Sequence, residues 1–279
     1  AETTSVPMGS VAIETMYQLD FEEFLWANGA GQEAIEGMRE CFESRQPLQE
    51  GTHRYMLQMM RYYLLVGGMP DAVQHFVESH NIRAVRDIHR DIHELYRTDA
   101  SQYDAELKLM IRRIYDMVPS QLENRKKRIV YQAIEDKKGK HFADYQDEFE
   151  YLIESGITLE VKAVSQPKYP LAESSSKNLL KLYLNDVGLL TYLLYDLNIN
   201  AVLQDERSVN LGTVYESLVA QELRAHGYQL YYYDNKKKGE VDFLINDTNT
   251  VQVLPVEIKS GKNYKEHSAL SKFLADEEY

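Results

Sequence analysis

Between Gly239 and Lys262 the sequence reads GEVDFLINDTNTVQVLPVEIKSGK. Two short apolar runs flank a polar turn, the pattern of a β-hairpin. Residues two apart on a strand share a face. Val241, Phe243 and Ile245 therefore face one way and Glu240 and Asp242 the other. On the second run Val256 and Ile258 can enter a core, while Glu257 and Lys259 share the opposite side. Pairing through NDTNT brings Asp242 towards Glu257. Like charges side by side are unfavourable unless a cation or a lysine intervenes. A hard divalent ion such as Mg²⁺ takes such oxygen ligands and keeps several waters. The C-terminal part must therefore fold as a sheet that buries one face and manages carboxylates on the other.

The stretch before this hairpin, NLGTVYESLVAQELRAHG, has helical periodicity. Glu216 falls on the flank of the apolar arc formed by Val214, Leu218, Val219 and Leu223. A helix carboxylate, a strand Asp and an E-x-K pair, in that order, resemble the active-site pattern of the PD-(D/E)XK nuclease superfamily. The resemblance implies that Asp242 and Glu257 hold Mg²⁺, with Glu216 completing or positioning the metal shell. Lys259 would orient the attacking water or stabilise the charged transition state. E-x-K alone is common on surface strands, so the order and element context carry the likeness. The competing reading is a degraded nuclease fold that keeps its carboxylates for ion pairing with Lys259.

Charge limits what such a site could meet. The 279 residues carry 31 basic and 44 acidic side chains, a net charge of −13. A surface of that sign repels nucleic acid on average, so DNA contact requires a local basic patch or a bound cation. The densest basic stretch is NRKKRIVYQAIEDKKGK, residues 124–140. Arg125, Lys126, Lys127 and Arg128 are its nucleic-acid-binding candidates; a solvated helix face with a basic turn is the plainer alternative. No apolar run approaches the roughly 18 residues of a membrane span, and the first ten residues lack the pattern of a secretory signal. The single cysteine, Cys41, excludes an internal disulfide and fits a reducing cytoplasm.

Along the chain, alternation at Val11, Ile13, Thr15 and Tyr17 predicts a strand, after which Asp20 caps a helix that Gly29 ends. Residues 32–104 have helical periodicity, broken at Gly67, Gly68 and Pro70. Further helices follow to Gly156, then strands at ITLEVKAV and LLKLYLND and a helix at VGLLTYLLYDL. Helices followed by a two-stranded ribbon are the recipe of a winged helix. From about residue 200 the pattern becomes helix, strand, strand, strand, helix, with YYY at 231–233 as the first strand.

Eight segments in a fixed order extend the resemblance over nearly the whole chain. They are SVPMGSV, YQLDFEEFL, YLLVGGMPDAV, IYDMVPSQL, KLYLNDVGLL, VYESLVAQEL, GEVDFLI and PVEIKSGK. Together they resemble the C-terminal portion of prokaryotic AAA-type ATPases of the archaeal-ATPase-like group, which end in a nuclease-like domain of unknown function. The resemblance implies an α+β chain, expected to be truncated at both ends. Residues 1–28 would close the ATPase core, 29–104 form the helical lid, 105–199 a winged-helix domain and 200–279 an incomplete restriction-endonuclease-like domain. No G-x-x-x-x-G-K-[ST] occurs, so ATP binding is expected only in the intact parent, whose ATPase core would lie upstream. Ser10 stands where the family commonly has Arg, which weakens a phosphate-contacting role there. The G-x-P likeness of Gly67–Pro70 points to the nucleotide side of a lid, but without the phosphate loop a helix break is the preferred reading. DNA, a protein partner or further copies are the partner classes implied, without a membrane.

Other motifs carry less. His89 and His93 have zinc-compatible spacing but no third ligand nearby, and read as a helix-surface pair. HRD at residues 89–91 mimics a kinase catalytic loop, but no Gly-rich loop or D-F-G accompanies it. Cys41 reads as an ordinary helix residue.

Overall fold

Asp20 opens the first helix, α1 (Phe21–Ala27), through a capping box. Its side chain accepts from Glu23 N at 2.8 Å, and Glu23 accepts from Asp20 N at 2.9 Å. The computed structural model describes residues 14–99, 105–206, 209–237, 239–260 and 267–275. Residues 14–20 run into α1 without regular structure, so Thr15 and Tyr17 do not form the expected strand. Val11, Ile13 and Ser10 lie outside the described residues.

The first helical group continues with α2 (Gln32–Glu43), α3 (Glu50–Val66), α4 (Pro70–Ser79) and α5 (Ile82–Asp99). Gly67 ends α3 at φ +72, and Pro70 starts α4, where its fixed φ suits a first helical turn. The GGMP segment is thus a helix break within a core. Phe24, Tyr63, Leu64, Phe76 and Val85 pack there.

Next come α6 (Ala105–Glu123), α7 (Tyr131–Glu135), α8 (Gln146–Glu154), β1 (Thr158–Val164), β2 (Ser175–Leu184), α9 (Val187–Tyr195) and α10 (Ile199–Leu203). The C-terminal run is α11 (Leu211–Ala225), β3 (Tyr231–Asn235), β4 (Gly239–Asp247), β5 (Gln252–Val256) and α12 (Ser268–Leu274). The helix–strand–strand–strand–helix order from residue 200 is as expected, and the chain is of the α+β class.

The five strands form one mixed sheet in the order β2-β1-β3-β4-β5. The ribbon β1–β2 is antiparallel, but β1 also pairs in parallel with β3 through Lys162↔Tyr231 and Ala163↔Tyr232. The expected border at 199/200 therefore does not separate two sheets. Its physical reason is a shared core. Leu180, Leu182 and Leu190 pack in one cluster with Ala220, Tyr232 and Phe243. Across the same border, Val187 joins Val202, Val214 and Leu218 against the first helical group.

His89 corrects a second expectation. It is fully buried, with Nε2 donating to the Val66 carbonyl at 3.0 Å. Burial, then the charge of Arg86, lower its pKa to about 3, so it is neutral at physiological pH. His93 is half-buried against Tyr115, 3.1 Å from its hydroxyl. Both histidines serve packing. No helix among the described residues is long and apolar enough to cross a membrane.

Candidate functional site

The β4–β5 hairpin supplies two of the acids. Phe243 pairs with Val256, Leu244 with Pro255 and Ile245 with Leu254. The pairing ends at Val256, and Glu257 follows closely enough for its charge to act on Asp242. Ile258 N donates to Asp242 Oδ2 at 2.8 Å, fixing the strand end against the carboxylate. Burial, then the charges of Glu216 and Glu257, push the Asp242 carboxyl up to about 7, against the Ile258 hydrogen bond and Lys181.

Glu257 and Lys259, two residues apart, pair at 2.6 Å. Only 6% of the Glu257 side chain is exposed, and its Oε2 is buried without a hydrogen-bond partner. Burial disfavours the Lys259 charge, but Glu257, Asp242 and Glu216 outweigh it and raise its pKa. Glu216 enters from α11, where its flank position buries it beside the apolar arc. Lys127 Nζ donates to Glu216 Oε1, and Tyr183 Oη donates to Oε2 at 3.3 Å. Glu240 is paired with Lys181, a fully buried side chain whose Nζ lies 4.3 Å from the centre of the Tyr232 ring.

The four residues singled out from sequence, Glu216, Asp242, Glu257 and Lys259, therefore converge. They do not form an open ring of oxygen atoms. Among the described residues, the three groups whose ligand atoms all lie within 4.8 Å are Asp20, Glu222 and His226. That cluster already has a structural duty. Phe21 N donates to Glu222 Oε1 at 2.9 Å and Asp20 caps α1, tying α11 to the start of that helix. Of the four acids Glu216, Glu240, Asp242 and Glu257, three instead carry a lysine partner.

The basic stretch departs from the expected cationic surface. Lys126 pairs with Asp234 at 3.3 Å, Arg128 pairs with the same carboxylate, and Lys127 pairs with Glu216. Lys127 and Arg128 side chains are only 16% and 18% exposed, because these acids draw the turn onto the sheet. Arg125 remains exposed.

Lys181, Tyr183 and Asp234 were missed from sequence. In LLKLYLND the alternation sets Lys181 and Tyr183 on one strand face, and a lysine amid apolar strand residues signals a buried partner. The acid it meets, 59 residues away, leaves no such signal.

Residues 57–202, just over half of the chain, match a family described as a domain of unknown function, DUF8612. The chain belongs to that family. Residues 211–278 match a second domain of unknown function, DUF4143. No curated protein and no solved structure matches the chain. The DUF8612 segment spans the expected lid border at 104/105 and contains both strands of the ribbon. All four site acids and Lys259 lie in the DUF4143 segment, whereas Lys127, Lys181 and Tyr183 come from the DUF8612 segment. The site is thus assembled between the two.

Proposed function

We propose that this chain carries a divalent-cation-dependent phosphodiesterase site of the nuclease type, acting on DNA within a cytoplasmic AAA-type ATPase. The observation that carries the reading is the buried, unpartnered Glu257 Oε2 beside Asp242, in the same site as Glu216 and Lys259. A buried acceptor without a donor costs roughly 1–3 kcal/mol, which a hard cation would offset. Carboxylate oxygens are the donor set that Mg²⁺ or Mn²⁺ prefers, so Asp242 and Glu257 would hold it, with Glu216 beside them. The bound ion would lower the pKa of a water and neutralise charge on the phosphate. Lys259 Nζ, held at 2.6 Å from Glu257, would orient the attacking water or donate to the phosphate oxygens. Hydrolysis adds the water oxygen to phosphorus, breaks one P–O ester bond and passes a proton to the departing oxygen. The ATPase association rests on the eight ordered segments, and the DUF4143 match accords with it.

A second reading is a non-catalytic module that binds DNA or a protein and couples that contact to the ATPase. The lysine partners of Glu216, Glu240 and Glu257 favour it, since paired acids need no metal. Plasmid nicking separates the two. With supercoiled plasmid and millimolar Mn²⁺, the wild type is expected to nick slowly, and Asp242→Ala to lose at least about 100-fold of that rate. Equal nicking by both proteins, or none by either the wild type or Lys127→Ala, which frees Glu216 of its ammonium, counts for the non-catalytic module.

A further inference from the structure

The acid site holds four carboxylates, those of Glu216, Glu240, Asp242 and Glu257, and three of them face lysines: Lys127, Lys181 and Lys259. Such a site is already close to electrical balance. A dication entering beside Glu216 would sit against a resident ammonium, so at least one lysine must give way. The three differ in how easily they can. Lys181 lies mid-strand on β2, fully buried over Tyr232, and cannot leave without breaking the sheet. Lys259 belongs to the DUF4143 segment itself, in the irregular stretch just after β5, and is held by Glu257 two residues away. Lys127 alone arrives on a turn, between α6 and α7, from the other family segment.

That turn is anchored as a unit. Lys126 and Arg128 both bind Asp234 at the end of β3, one on each side of Lys127. Lys127 itself has φ +51, a conformation uncommon for a residue with a Cβ, which persists only where surroundings hold it. The arrangement delivers one ammonium to Glu216.

We propose that residues 124–128 form an autoinhibitory latch, in which Lys127 holds the cation position at Glu216 and must withdraw before a divalent ion can bind. The latch rests on reading the acid site as a divalent-cation site. Movement of the turn away from the sheet, by a partner or by the ATPase, would open the site; closure would refill it with Lys127.

Direct Mn²⁺ binding to the whole chain, followed by electron paramagnetic resonance of the free ion, tests this without relying on turnover. Lys127→Ala is expected to bind Mn²⁺ at least about tenfold more tightly than the wild type, because a buried Glu216 left unpaired gains more from the ion. Asp234→Asn, which loosens the turn from its other end and leaves Lys127 in place, is expected to shift affinity in the same direction by a smaller factor. Adding Asp242→Asn to Lys127→Ala should remove the gain. If neither Lys127→Ala nor Asp234→Asn tightens binding while Asp242→Asn still weakens it, the latch is wrong and the metal reading stands. If no protein shows Mn²⁺ binding that depends on Asp242, the metal reading falls, and the latch with it. Thermal unfolding of each variant identifies loss of fold, and the Asp234 variant then decides alone.

Discussion

Asp186→Ala is expected to lower the unfolding midpoint by on the order of 10 °C, from a loss of about 3–5 kcal/mol. Asp186 is fully buried where three elements meet. Its Oδ1 accepts from Leu189 N at 2.8 Å, capping α9, and its Oδ2 accepts from Gly68 N at 2.7 Å, closing the break between α3 and α4. Alanine would leave both N–H groups buried without partners. Arg86, also buried, braces the same junction by donating to the carbonyls of Leu65 and Gly188 at 3.0 Å each. The backbones approach so closely that side chains do not fit. A Cβ on Gly188 would lie 2.5 Å from the Val66 carbonyl carbon, and one on Gly68 would lie 2.0 Å from Leu19 O. Gly188→Ala should therefore destabilise by a comparable amount through overpacking, with every hydrogen-bonding group retained. Circular dichroism melts check both. A shift below about 2 °C in either variant would mean that the junction yields, contrary to dense packing.

The same junction shows what sequence could and could not disclose. Local signals were legible. Asp20 and Gly29 bounded α1, Gly67 and Pro70 marked the break, and alternation turned Asp242 away from the buried face of its strand. These features depend on neighbours within one hairpin or one turn. The parallel pairing of β1 with β3 was not legible, because it joins residues 69 positions apart, as Lys162 and Tyr231 are, through backbone groups common to every sequence. Nor was the capture of Lys127 by Glu216, across 89 positions. A basic run reads as a charged surface until the acids that cover it are known. His89 was misjudged for a related reason. Its burial depends on the Val66 carbonyl and on Arg86, so spacing along its own helix said little.

Besides Asp186, whose carboxyl burial also pushes up, two buried acids should make the protein less stable as pH rises. Asp242 is raised from 3.8 to about 7, mainly by burial, and Glu222 from 4.5 to about 7, again mainly by burial. Between the unfolded and folded values each group keeps its proton in the fold and releases it on unfolding. The unfolded state then binds fewer protons, so stability falls with rising pH across that window and levels off above about pH 7. Each group can contribute on the order of 3 kcal/mol. His89 has the opposite sign. Its pKa is lowered to about 3, so it adds stability as pH rises from about 3 to 6.5. The wild-type curve is thus a partial cancellation, and the difference from each variant is the informative quantity. Asp242→Asn and Glu222→Gln are each expected to gain stability relative to wild type between pH 5 and pH 7.5, as urea denaturation at the two values would measure. Mn²⁺ then separates the acids. An ion held by Asp242 favours its ionised form, so at pH 7.5 it should stabilise the wild type and Glu222→Gln, but much less Asp242→Asn. Identical pH slopes in wild type and Asp242→Asn would show that this carboxylate is not strained by its surroundings, and would remove the electrostatic reason for it to seek a metal.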